Sequence, residues 1–227
     1  MNSEKEINNL KQQIISAGLQ LLQQGLVSRT FGNVSIRIDD TYMLITPSGR
    51  KYDDLQAEDI IKINFHNYEY EGLVKPSSEL KLHAEIYKVR KEINAVIHTH
   101  QQNASTLAAA HHELPPIIDD QAQMIGPGVR LAEYAASSST KLVRNVVEAL
   151  DGRMAALMAN HGAICIGRNI EEAFVVSQVL EKAAKAFIEA SFIGGAKPIP
   201  NSEAIELHKE YLEKYSKEEN RNKNTGE

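Results

Sequence analysis

The stretch AVIHTHQQN (residues 95–103) is where the reading of this chain is decided. Ala95, Val96 and Ile97 form a short apolar run of β-favouring character that ends in two histidines separated by one threonine. In a strand, residues two apart leave the same face at roughly 6.6 Å spacing, so His98 and His100 point together while Thr99 points away. One metal ion can accept both imidazoles. Neutral imidazole is the commonest protein ligand for zinc, and a catalytic site usually has three protein ligands with a further position for water or substrate. The competing reading is coincidence, since the chain carries eight histidines. A third ligand must come from elsewhere. His161 lies beside Gly162 in the apolar stretch MAALMANHGAICIG (154–167), where a lone buried imidazole needs a partner. Glu79 and His83, four apart on one helical face, form an alternative chelating pair or an ordinary surface pair. Spacing does not rank His83 below His161.

Outward from this strand, the periodicity alternates between helix and sheet. Ile7, Leu10, Ile14, Ala17 and Leu21 recur at steps of three and four, an amphipathic helix over 4–24 ending near Gly25. From 31 to 74, the β-rich runs NVSIRI, YMLIT and IIKINF are punctuated by glycine and proline, which predicts an antiparallel meander. SSELKLHAEIYKVR returns to helical spacing, with Ser77 or Ser78 available as a cap, and NASTLAAAH is helical again. Residues 130–150 read as a further helix. The stretch 154–167 reads as one buried strand interrupted by a bend or bulge at Asn160-His161-Gly162. A long helix follows from about 170 to Gly194-Gly195, AKPIP is a turn, and a last helix spans about 201–215. The expectation is a single α/β domain over 1–215 with a mostly antiparallel sheet, followed by a polar, disordered tail at 216–227.

Composition narrows the function classes. The formal net charge is −5 over 227 residues, and no Lys/Arg-rich block attracts a nucleic-acid backbone or an anionic membrane. The start is charged and polar, and no run approaches the roughly 18 apolar residues of a membrane span, so a soluble cytoplasmic protein is expected. A single cysteine, Cys165, excludes an internal disulfide framework and any CxxC site, and its apolar surroundings read as a packed thiol.

Three small-residue segments carry the donors an oxyanion requires: TFGNVS (30–35), TPSGR (46–50) and PSSE (76–79). Each taken alone reads as a turn, and none matches the P-loop or the Rossmann glycine pattern.

Taken in order, GNVSIR, TPSGR, KPSSE, HTH and NHG resemble the class II aldolase/adducin family, and within it the L-fuculose-phosphate and related ketose-1-phosphate aldolases. These five ordered motifs span nearly the whole chain. The resemblance implies a three-layer α/β/α fold around a central mixed, mostly antiparallel sheet, and a four-fold homotetramer with active sites between subunits. It implies that His98, His100 and His161 hold one divalent ion per subunit, zinc first and manganese or cobalt as alternatives, and that Glu79 is both metal ligand and acid/base. His83 then falls outside the ligand set. Asn33, Ser48, Gly49, Ser77 and Ser78, with Thr46 close by, fall on loops that in the family bind the substrate phosphate. Tyr215 aligns with a C-terminal tyrosine that reaches into the adjacent subunit's site, although a tyrosine on a terminal amphipathic helix also reads as packing. One departure is visible: LPPIIDDQAQ puts Asp119, or Asp120 if the alignment shifts by one, where the fuculose-phosphate enzymes have a catalytic tyrosine. A carboxylate can also move the C4 hydroxyl proton, with a different reach and resting pKa. The implied reaction is metal-dependent cleavage of a ketose 1-phosphate to dihydroxyacetone phosphate and an aldehyde. The rivals are a methylthioribulose-1-phosphate dehydratase-like lyase, a ribulose-phosphate 4-epimerase and a non-catalytic adducin-like assembly module. Epimerases carry aspartate in place of Glu79, and the retained ligand set speaks against the assembly module.

Overall fold

The first amphipathic stripe becomes α1 (Glu4–Gln23), opened by a reciprocal cap in which the Ser3 hydroxyl accepts from the Glu6 amide and the Glu6 carboxylate accepts from the Ser3 amide. It buries Ile14, Ile15, Ala17 and Leu21 along one face. The computed structural model describes residues 3–225, with side chains described through 214. β1 (Asn33–Arg37), β2 (Tyr42–Ile45) and β3 (Ile61–Asn64) follow as the expected antiparallel meander. α2 (Leu80–Val89) leads into β4 (Ala95–Thr99), which returns to pair antiparallel with β1, setting Asn33 opposite His98. α3 (Gln102–Ala109) and the short α4 (Asp119–Ile125) come next; the sequence did not predict α4, whose seven residues are too few for a helical stripe to stand out.

Three expectations are corrected. The segment 130–150 is not one helix: Arg130–Ala132 forms β5, and α5 (Thr140–Ala149) begins only after Ser139, whose hydroxyl accepts from the Leu142 amide. Ser138 sits at φ 63°, outside helical geometry, so the serine run separates the two elements. The stretch 154–167 is two strands, β6 (Ala155–Met158) and β7 (Gly162–Gly167), paired antiparallel from Ala155–Cys165 to Met158–Gly162. Both strands are buried on both faces, which erases the alternation that would have marked a hairpin. Finally, α6 (Ile170–Ala190) forms as expected, but α7 (Asn201–Thr225) runs past the expected end near 215. Lys and Glu favour helix, and extending an existing helix avoids the nucleation penalty.

The seven strands lie in the order β3-β2-β1-β4-β7-β6-β5, antiparallel except for the β5–β6 pair. One face, with Val34, Ile36, Leu44, Ala95 and Ile97, packs against α1 and the start of α6. α2 and α5 pack on each other across the opposite face, the expected three-layer arrangement. Among the described residues, no helix is long and apolar enough to cross a membrane. Cys165 is a packed thiol, and burial pushes it up to about 12.

Candidate metal centre and active site

The site lies where the ends of β1 and β4, the β6–β7 turn and the start of α2 meet. His98 is the last inward-facing residue of β4 and is almost wholly buried. Its Nδ1 lies 2.8 Å from the Ala163 carbonyl on β7; an imidazole donating there carries its proton on Nδ1 and leaves the Nε2 lone pair free. His100 follows one step beyond the strand, and its Nε2 is 2.8 Å from His98 Nε2. His161 comes from the hairpin turn rather than from a buried strand, presented by Asn160 in a left-handed conformation at φ 56°. The three rings stand edge to face, with centroids 4.7, 4.8 and 5.3 Å apart, and one nitrogen from each lies within 4.8 Å of the others.

Two glycines make this approach possible. A Cβ on Gly162 would lie 2.3 Å from the Thr99 carbonyl oxygen, and one on Gly32 would lie 2.6 Å from that of His98. Both oxygens belong to backbone that cannot yield, so only glycine lets the β7 turn and the segment before β1 close on β4.

Glu79 completes the cluster. α2 begins after it, and its side chain makes no cap to the helix, contrary to the expected serine cap. Instead its backbone amide donates to Ser77 Oγ, and its carboxylate turns toward the histidines. Oε2 accepts from Asn33 Nδ2 at 2.9 Å and lies 3.3 Å from His98 Nε2; Oε1 is 3.5 Å from His161 Nε2. Burial would raise this carboxyl, but the His98 charge, the Asn33 amide and the His161 charge outweigh it and hold the group at about 2. Burial, reinforced by His98 and His161, lowers His100 to about 4, and burial followed by His98 also lowers His161. His100 and His161 are therefore held in the neutral, lone-pair-donating form near pH 7. The two facing Nε2 atoms share one proton at most between them, whereas a divalent ion would satisfy all three lone pairs and Glu79 at once. The donor set fits such an ion.

The expected phosphate loops gather at the same end of the sheet. Thr46 is buried, with Oγ1 accepting from the Val34 amide, and the Ser77 amide donates to the Thr46 carbonyl. Ser48 donates its amide to Lys75, and a bridge between Pro47 and Pro76 holds the two loops side by side. Ser48, Gly49 and Ser78 are exposed, whereas Asn33 and Ser77 are buried. His83 is fully buried away from the histidine cluster, with both ring nitrogens occupied by Ser35 and Asn33. Asp119 is exposed at the first turn of α4 and makes no hydrogen bond or ion pair with a described residue, whereas Asp120 pairs with Lys182. The backbone of Tyr215 lies in α7; its side chain falls outside the described residues.

Two neighbours were missed. The Ser137 hydroxyl donates to Glu79 Oε1 at 3.4 Å, and the exposed Phe31 ring stacks on His100 with centroids 5.7 Å apart. Phe31 adjoins the GN motif, which was the available signal. Ser137 reaches the site only through the loop after β5, and nothing local marks it.

The family model for the Class II Aldolase and Adducin N-terminal domain matches residues 12–188. The 5-deoxy-D-ribulose 1-phosphate aldolase of Bacillus thuringiensis serovar kurstaki is 35% identical over 202 residues, covering 88% of this chain and 94% of the relative. The L-fuculose phosphate aldolase of Escherichia coli strain K12 is 32% identical over 210 residues, covering 92% and 97%. A solved L-fuculose 1-phosphate aldolase superposes with a TM-score of 0.86 at 32% identity, covering 93% of this chain and 98% of that one.

Proposed function

The chain belongs to the class II aldolase and adducin family and is a lyase of the ketose 1-phosphate aldolase type; from this we propose that it cleaves a deoxyketose 1-phosphate to dihydroxyacetone phosphate and an aldehyde, using one divalent ion per subunit. The substrate class is that of L-fuculose 1-phosphate or a 5-deoxypentulose 1-phosphate, after the relatives' names. The observation that carries the reading is a buried carboxylate, Glu79, set against three convergent imidazoles.

His98, His100, His161 and Glu79 would hold the ion, zinc by preference, with manganese or cobalt compatible with the same donors. When bound, it supplies positive charge against the negative charge that develops on the substrate oxygens as the C3–C4 bond breaks. The protein's own groups do the rest. Glu79 is the acid/base for the proton at C3. Donors on Asn33, Thr46, Ser48, Gly49, Ser77 and Ser78 hold the phosphate, so that the breaking bond is fixed relative to Glu79. Asp119, or Tyr215 from a neighbouring subunit of a homotetramer, handles the proton on the C4 oxygen. A cytoplasmic location goes with a phosphorylated intermediate as substrate.

A panel of ketose 1-phosphates assayed for dihydroxyacetone phosphate release, with metal content measured on the same sample, tests the proposal. Chelator treatment should abolish turnover and re-addition of a divalent ion restore it, while borohydride with substrate should trap no adduct. A dehydrated diketo product would replace the aldolase reading with a dehydratase, and full activity in metal-free protein would remove the ion from the mechanism.

A further inference from the structure

A line of buried polar groups runs from α2 across β1 to Glu79. Tyr87 Oη lies 2.8 Å from Ser35 Oγ, Ser35 Oγ 2.7 Å from His83 Nδ1, His83 Nε2 2.5 Å from Asn33 Oδ1, and Asn33 Nδ2 2.9 Å from Glu79 Oε2. Tyr87, Ser35 and His83 are each 0% exposed, so solvent supplies none of these partners. The proton positions follow from the chemistry. A carboxylate only accepts, so the Asn33 amide must turn its NH2 toward Glu79 and its oxygen toward His83. His83 must then carry its proton on Nε2. A neutral imidazole with Nε2–H has only a lone pair on Nδ1, so Ser35 donates to it and accepts in turn from the Tyr87 hydroxyl. Every donor in the line points toward Glu79. The reverse orientation would face the Asn33 oxygen with the carboxylate, acceptor against acceptor, and a buried pair of that kind is costly.

We infer that His83 is a positioning residue of the site: locked in the Nε2–H tautomer by Ser35 and Tyr87, it holds the Asn33 amide so that one N–H fixes Glu79 and the other remains for substrate. This rests on the proposed roles of Glu79 and Asn33. It gives a function to the histidine left outside the ligand set, and it explains why a strand buried on both faces keeps a serine at position 35. The line does not move a proton during turnover; it removes the freedom of the amide to flip and of the carboxylate to rotate.

The direct test is nitrogen-15 NMR of the histidine side chains in the metal-free protein, which reads the tautomer without any assay of turnover. His83 should show Nε2–H and a neutral ring near pH 7; an Nδ1–H tautomer would overturn the inference. In the metal-loaded enzyme, His83→Phe should lower kcat by about 10- to 100-fold with metal content unchanged and KM changed far less, and His83→Gln, which restores a donor toward Asn33, should recover part of the loss. A His83→Phe enzyme with wild-type kcat per loaded site would also overturn it. Should His83→Phe fail to fold, Ser35→Ala with the NMR readout decides: it should weaken the Nε2–H preference, and an unchanged tautomer population counts against the line. If the wild type releases no dihydroxyacetone phosphate from any substrate, the proposed reaction fails while the tautomer result stands by itself.

Discussion

The two faces of β1 and β4 are equally buried and chemically unlike. Toward α1 lie Val34, Ile36, Ala95 and Ile97; toward α2 lie the polar Asn33, Ser35, Arg37 and His98 around the apolar Val96. The apolar face is held by area removed from water, and its contacts tolerate small shifts because dispersion is not directional. The polar side chains on the α2 face are held by directional hydrogen bonds. Arg37 donates to the carbonyls of Ile93, Tyr87 and Arg90 while lying over the Tyr87 and Phe65 rings, and burial lowers its pKa. One sheet thus supplies a forgiving surface and an exacting one, and Asn33 and His98 of the candidate site lie on the exacting one.

Glu79→Gln attacks the polar face at its functional end. It keeps the volume and removes the charge, so kcat per folded molecule should fall by about 10²–10⁴-fold, the usual worth of a positioned acid/base. Wild-type turnover in this variant would show that the carboxylate is structural. Ile36→Ala probes the other face: loss of a buried side chain should lower unfolding free energy by about 2–5 kcal/mol in a denaturant titration, and kcat per folded molecule should be unchanged. A kcat loss matching that of Glu79→Gln would mean that the two faces are coupled.

Acid separates the faces without mutation. Glu79 is held at about 2, below its ordinary 4.5, so its contribution is present above about 4.5 and is lost as pH falls toward 2. For the metal-free protein this amounts to roughly 3 kcal/mol. Burial keeps His83 neutral down to about 3, and burial with its histidine neighbours keeps His100 neutral down to about 4, while both protonate near 6.5 in the unfolded chain. They therefore also favour unfolding as pH falls, starting from 6.5. Denaturant midpoints should decline continuously from pH 7 to 3, and Glu79→Gln should flatten only the part below about 4.5. A flat wild-type profile over that range would contradict the buried network.

The smallest effect is the most discriminating. Ser35→Ala makes a buried position more apolar yet should cost about 1–3 kcal/mol, because the Tyr87 hydroxyl and His83 Nδ1 lose their partner. On the α1 face, an equally small truncation removes only area. Neutral or stabilising behaviour of Ser35→Ala in the same titration would erase the distinction between the faces.

The sequence disclosed these faces unequally. The meander and α1 were legible because their periodicity is local, and His98 and His100 because a period of two is fixed by the strand itself. The ordered motifs selected Glu79 and His161 over His83, which spacing alone left unranked. The β6–β7 hairpin was hidden by burial on both sides, and the division of 130–150 by the missing contrast between a three-residue strand and a helix start. Ser137 and the role of His83 depend on which elements meet across the sheet, and neither leaves a local trace.

The pairing of β7 with β4 has a consequence for folding. Thr99 faces Ala163, and the same Ala163 carbonyl orients His98 while the next turn back delivers His161. A slip of one residue between these strands would turn His98 to the opposite side of the sheet and carry His161 out of reach. With the proposed ion, the histidine trio would work as a vernier on the central ladder: a chain that has collapsed in the wrong register would present no complete binding set, and uptake of the ion would mark the molecules whose strands are aligned.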